Sequence, residues 1–190
     1  MKTERRPYRQ TARAAAAAAT RERILDVATG HFLERYYDDV TLAAIATEAG
    51  VTQQTVINHF TSKEGLLEAA VARLDLQRFR RAPGGDPVAG VVGDYEAGGD
   101  AVWRMLALEE RIPALAPFLR RGRAAHRAWV SEAFAGQLPD PADPAYAQAL
   151  DLHIVATDLF TWKLLRRDMG LSRTQTVDHM RALVTALAER

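Results

Sequence analysis

Residues 41–60 read Thr41-Leu42-Ala43-Ala44-Ile45-Ala46-Thr47-Glu48-Ala49-Gly50-Val51-Thr52-Gln53-Gln54-Thr55-Val56-Ile57-Asn58-His59-Phe60. Leu42, Ile45 and Ala46 fall at helical spacing and predict a short helix to about Glu48. Gly50 stops it and suits a left-handed turn residue. Thr52 is placed to cap a second helix through Phe60, in which Val56 and Phe60 share one face. Ala46 is small where two helices must cross closely, and Val51 and Val56 pin the second helix onto the first. The front turn of that second helix is left exposed.

Helical patterning extends on both sides. Upstream, Ile24, Leu25, Ala28 and Phe32 make an amphipathic helix from about Thr20, and the alanine run Ala14–Ala19 either extends it backwards or frays. Residues 1–10 are polar, basic and interrupted by Pro7, as a flexible segment is. Downstream, Thr61 and Glu64 have the spacing of a capping box. The helix it opens carries Leu66, Leu67, Ala70, Val71 and Leu74 and loses its pattern at Arg78, Arg80 and Arg81. The segment Pro83-Gly84-Gly85-Asp86-Pro87 is the strongest break, with Asp86 as cap and Pro87 at the first helical position. Further helices are predicted to about Ile112, from Pro113 to about Ala135, from Asp143-Pro144 to about Asp168, and from a Ser172/Gln175 capping box to the end. Trp103, Met105, Leu106 and Leu108 surround the first of these, which is therefore expected to be central. No segment alternates as a strand does, so the class is all-α, with about nine helices.

Composition narrows the function. A length of 190 residues with 48% apolar content supports a sizeable core. No apolar run approaches the roughly 20 residues of a membrane span, and the N-terminus lacks a secretory pattern. With no cysteine, disulfides, thiolate metal sites and thiol catalysis are excluded, and a cytoplasmic address is the simplest. Net charge is only +1, but residues 1–23 hold seven basic side chains against two acidic ones. Such an arm searches for phosphates or is simply solvated. No His-Glu-x-x-His pattern, phosphate loop or nucleophile elbow is present, and His126, His153 and His179 with the carboxylates are the candidates for the metal or acid–base site of a helical enzyme.

Helix, tight turn, helix is the geometry in which the front of the second helix enters a DNA major groove. Arg23-Ile24-Leu25-Asp26-Val27-Ala28, Phe32 to Arg35, Thr41, Ile45-Ala46, Ala49 to Thr52, His59-Phe60 and Ser62-Lys63-Glu64 together resemble the N-terminal signature of the TetR family of transcription regulators, over about residues 20–68. The stretch Asp86 to Phe134 and the Trp162-to-Arg167 segment resemble the family's effector and dimer regions more loosely. The resemblance implies an N-terminal three-helix helix-turn-helix DNA-binding domain at 20–66, behind a basic, Ala-rich arm at 1–19. It also implies a helical effector-binding and dimerisation domain at 67–190, joined through the helix from Thr61. Implied partners are a palindromic DNA operator, a second copy of the chain and a small-molecule effector. No metal or cofactor is implied. Tyr36 replaces the family's usual glycine, requiring left-handed strain or a different turn, and Ile57 replaces a tyrosine that often meets phosphate.

Gln53 and Gln54 are the candidates for base reading, because a glutamine amide matches both donor and acceptor of adenine. Thr52, Thr55 and Asn58 accompany them, with Thr41, His59 and Lys63 on the DNA backbone as the resemblance implies. Arg5, Arg6, Arg9 and Arg13 are weaker candidates for a flanking minor groove. Tyr95, Trp103, Met105, Leu106, Glu109, His126, Trp129, His153, Asp158 and Trp162 are candidates for a pocket or for ordinary core; Trp103 and Trp129 lead, and Asp158 caps, pairs with Lys163 or faces solvent. Leu152, Val155, Leu159, Trp162, Met180, Val184 and Leu187 are the candidate dimer seam. The competing readings are a helical ligand-binding protein that does not touch DNA and, further off, a helical enzyme.

Overall fold

The structure is a computed structural model that describes residues 5–74 and 85–188, with side chains in the first helix described from residue 12. The side chains of Arg5, Arg6 and Arg9, the basic stretch Arg78, Arg80 and Arg81, and Pro83-Gly84 lie outside the described residues. The path by which the helix from Thr61 was expected to join the two domains lies there too.

Among the described residues there are nine α-helical segments and no strand. They are α1 (Arg5–Glu34), α2 (Leu42–Glu48), α3 (Gln53–Phe60), α4 (Lys63–Ala72), α5 (Pro87–Leu106), α6 (Ala116–Ala133), α7 (Tyr146–Thr157), α8 (Leu159–Lys163) and α9 (Arg173–Ala188). The chain divides into two compact units, Met1–Leu74 with Arg111–Leu115 and Asp75–Glu110 with Ala116–Arg190.

In the first unit, Ile24, Leu25, Ala28 and Phe32 of α1 are buried with Ile45, Ala46, Val56, Phe60, Leu66, Leu67, Ala70 and Val71. Burying the leucine, isoleucine, valine and phenylalanine side chains among them contributes about 1.5–3 kcal/mol each, which offsets the entropy of ordering short helices that would not form alone. The alanine run lies within α1 as helix, its side chains exposed. Arg23 Nε donates to the Ala49 carbonyl at 2.8 Å and so satisfies the end of α2. Tyr36 takes the different turn: it is extended (φ −66°, ψ 144°), α1 ends at Glu34, and a 3₁₀ turn at Tyr37–Asp39 follows. Arg111–Leu115 also belongs to this unit: Arg111 Nη2 donates to both carboxylate oxygens of Asp38 at 2.8 Å, and Leu115 is buried.

The start of α4 corrects the Thr61/Glu64 capping box. Ser62 is the cap, accepting from Gly65 N–H at 3.1 Å, and Glu64 instead accepts from the Tyr37 hydroxyl at 2.7 Å. Thr61 has φ 67° and ψ −47°, with Ser62 N–H donating to the Phe60 carbonyl at 2.7 Å. That is a γ-turn, a tight reversal that a β-branched residue rarely adopts. It allows α3 to run into α4 with almost no loop.

The second unit packs α5 to α9 around Val91, Val92, Val130, Leu150, Trp162, Met180 and their neighbours. Asp86 caps α5 through the N–H groups of Val88 and Ala89, with Pro87 in the first turn. Ser172 and Gln175 form a reciprocal capping box before α9. Gly99 lets α5 approach Trp162 closely: a Cβ there would lie 2.8 Å from the indole. Three expected boundaries are corrected. Helix α5 ends at Leu106 rather than Ile112, because Arg111 and Ile112 are drawn into the first unit. Helix α7 starts at Tyr146, since Asp143 spends its carboxylate on the Ala145 N–H in a preceding turn. The helix expected to run to Asp168 breaks at Asp158 (φ −73°, ψ 155°), whose side chain caps α8 through Phe160 N–H. Helix α8 then widens into a π turn at Leu164–Asp168. Lys163 pairs with Asp168, not with Asp158.

Candidate nucleic-acid interface

The turn between α2 and α3 is built as its residues dictate. Gly50 has φ 64°, and Val51 N–H donates to the Ala46 carbonyl at 2.9 Å, closing the end of α2. Thr52 Oγ1 accepts from Thr55 N–H at 3.1 Å and shares a hydrogen bond with Thr55 Oγ1 at 2.8 Å. Val56 and Phe60 are buried, so the opposite face of α3 is presented to solvent. On it Gln53, Gln54 and Asn58 are exposed, as are Thr52 and, on the neighbouring helix, Thr41. Gln54 Nε2 donates to Asn58 Oδ1 at 2.9 Å, which holds both amides on one face. Thr55 and His59 are half-buried, as is Ile57. Thr41 also caps α2 through Ala44 N–H.

Lys63 is placed differently from a side chain reaching out into solvent. Its ammonium lies 4.0 Å from the centre of the Tyr37 ring, and burial holds its pKa below the ordinary lysine value although Asp38 and Glu64 are near. The ring gives a charge at a helix N-terminus a local reason to be there. Tyr37 in turn stacks on Phe32 at 6.1 Å and donates to Glu64. Burial, and then the Glu64 carboxylate, raise its phenol pKa. Sequence reasoning missed Tyr37; the only signal was an aromatic residue beside two aspartates in a loop. On the other side of α3, the Arg21 guanidinium covers Phe60 at 5.0 Å.

In the second unit the candidate pocket residues separate into two groups. Tyr95 donates to the Thr157 carbonyl at 3.1 Å, and His126 Nε2 lies 3.2 Å from Thr157 Oγ1. His126 stacks on Trp129 at 5.6 Å, and Asp158 is 3.9 Å from His126 Nδ1. Trp103 stands elsewhere, edge-on to Phe160 at 5.4 Å and under the Lys163 ammonium at 4.5 Å. Leu106 packs against the core, Met105 is buried, and Glu109 is held by Arg123.

The candidate seam divides as well. Leu159, Trp162, Met180 and Val184 of the candidate seam are buried in the unit's own core. Leu187 is half-buried against that core. Leu152 and Val155 are exposed, Val155 by 62%. Leu164 is exposed too, as are Phe160 and Leu183, which the sequence did not single out. Helical periodicity over 143–168 gives two apolar faces, one with Leu152, Val155, Leu159 and Trp162 and the other with Ile154, Thr161 and Leu164, but not which side chains the core takes.

These features define a class: among the described residues an all-helical protein in two units, the first a helix-turn-helix module with one face of α3 presented to solvent. Residues 24–70 match the N-terminal family model described as bacterial regulatory proteins, tetR family. Over 71 residues the chain is 34% identical to the HTH-type transcriptional regulator AlkX of Mycobacterium tuberculosis, covering 37% of this chain and 32% of that protein. Over 59 residues it is 44% identical to the HTH-type transcriptional regulator SrpR of Pseudomonas putida, covering 31% and 28%. The matched stretch thus spans about a third of the length of these relatives. A crystal structure of a tetR-family transcriptional regulator from Streptomyces coelicolor superposes with a TM-score of 0.67 at 25% identity, over 90% of this chain and 83% of that one. Salmonella enterica GusR shares the fold, with a TM-score of 0.62 at 22% identity over 90% and 96%. Among the described residues no helix is long and apolar enough to cross a membrane.

Proposed function

We propose that the chain is a DNA-binding transcriptional regulator of the cytoplasm, not an enzyme, and acts as a repressor. Two copies present their α3 helices to a palindromic operator, and a small molecule held in the second unit releases them. The observation that carries this reading is the exposed Gln53, Gln54 and Asn58 face of α3, backed by the buried Val56 and Phe60. Gln53 and Gln54 read base edges; Thr41, Thr52, Thr55 and His59 meet the backbone, and Lys63 adds positive charge there. Leu152, Val155, Phe160, Leu164 and Leu183 supply the isologous seam, since a second copy gives these exposed apolar side chains a partner. Dimerisation sets two half-sites roughly 34–36 Å apart, or a multiple. The effector acts by preferring the state that does not fit DNA.

The test is a gel-shift titration on DNA flanking the coding region, scanned for inverted repeats. Affinity is expected to fall about 10³-fold or more between 50 and 200 mM salt. The double variant Gln53→Ala/Gln54→Ala is expected to lose preference for the repeat while staying dimeric. A protein that shifts no DNA at low salt is the DNA-free ligand binder instead; unchanged preference in the double variant removes the base-reading role.

A further inference from the structure

His153 on α7 is 1% exposed, and its two ring nitrogens have different fates. Nδ1 lies 2.8 Å from the Ala149 carbonyl, which only accepts, so Nδ1 carries the proton. In the neutral ring Nε2 is then a bare acceptor, and it is buried with no partner. Such an orphan is costly unless something supplies a donor.

The surroundings say what kind of donor. Phe134 lies 5.5 Å from His153, Trp129 meets Phe134 edge-on at 5.8 Å, and His126 stacks on Trp129. Thr157 closes the circuit: its hydroxyl donates to the His153 carbonyl at 2.8 Å, so at the 3.2 Å contact His126 Nε2 is the donor. The Tyr95 hydroxyl is committed to the Thr157 carbonyl. The rings of Phe134 and Trp129 surround this cluster, and one acceptor in it, His153 Nε2, is unanswered. An anion is disfavoured, because the Nε2 lone pair repels it and Asp158 already places a carboxylate 3.9 Å from His126.

We propose that this cluster is a small-molecule subsite for a neutral aromatic compound bearing one hydroxyl. The hydroxyl donates to His153 Nε2 and the ring lies against Phe134 and Trp129. The proposal rests on the reading of the second unit as the effector-binding part, and names the ligand class it takes.

The test uses the full chain with 15N-labelled histidine and phenol as probe, with anisole and benzoate beside it. Long-range 1H–15N spectra are expected to show His153 as the Nδ1–H tautomer, and phenol is expected to move its Nε2 signal. Phenol is expected to bind about tenfold more tightly than anisole, which has lost only the donor, and more tightly than benzoate. In His153→Phe the phenol advantage over anisole is expected to vanish; the wild-type ratio needs no variant to fold. An Nε2–H tautomer, equal binding of phenol and anisole, preference for benzoate, or an Nε2 signal no probe moves, as when a water satisfies it, each overturns the subsite. A compound that releases operator DNA without moving Nε2 also overturns it, yet leaves the effector reading standing. Phenol that moves Nε2 without altering DNA binding upholds the subsite and counts against that reading alone.

Discussion

Thr61 and Gly65 show how closely single residues constrain the passage from α3 to α4. The γ-turn at Thr61 directs the Phe60 carbonyl over the first turn of α4, and a Cβ at Gly65 would sit 2.3 Å from that oxygen. Neither atom belongs to a flexible side chain, so backbone must move. Gly65→Ala is expected to cost about 1–3 kcal/mol in urea unfolding, against the slight gain that alanine usually brings to a helix. A neutral result would mean the turn is not formed. Glu64, one residue before, is exposed, and the Tyr37 hydroxyl is the main cause that holds its pKa below the ordinary carboxylate value. A lowered folded-state pKa means stabilisation present above the unfolded value and lost as pH falls through the folded one. Tyr37→Phe is therefore expected to raise the Glu64 pKa, read by carboxyl 13C titration; an unmoved titration would remove that hydrogen bond.

At the scale of elements, Gly99 sets how near α5 comes to α8. The Trp162 indole fills the space a side chain would need, donates to Glu96 Oε1 at 3.2 Å, and is covered by Arg167, which pairs with Asp100. Arg166 adds a second link to Glu96. The break at Asp158 and the π turn after it let α8 offer Trp162 to the core while Phe160 and Leu164 stay outside. Gly99→Ala is expected to force the indole aside and cost about 1–3 kcal/mol, with a changed Trp162 signal in near-ultraviolet circular dichroism. Wild-type stability and spectrum would show that α5 and α8 are further apart.

For the whole molecule the question is which apolar side chains serve folding and which serve association. Trp162 has no exposed surface and Val155 is 62% exposed. Trp162→Ala is expected to cost about 3–5 kcal/mol and to unfold the second unit cooperatively. Val155→Asp is expected to leave the unfolding of the isolated chain nearly unchanged and to shift sedimentation towards monomer, with loss of tight operator binding. A monomeric wild type, or a Val155→Asp dimer of unchanged strength, would move the seam to another surface.

Local chemistry sufficed wherever an element is specified within a few residues of itself. Gly50 in its left-handed turn, the Thr52, Asp86 and Ser172/Gln175 caps, and the apolar spacing of α1, α3 and α9 were all legible, and with them the helix-turn-helix. Tertiary structure decided what depends on a partner distant in the chain. It chose Ser62 over Thr61 as cap, set Lys63 over Tyr37, broke α7 from α8 at Asp158, and buried Trp162 and Met180 while leaving Val155 outside. The physical reason is that a cap or turn closes its hydrogen bonds locally. A helix with two apolar faces is assigned an inside only by the neighbours that pack against it.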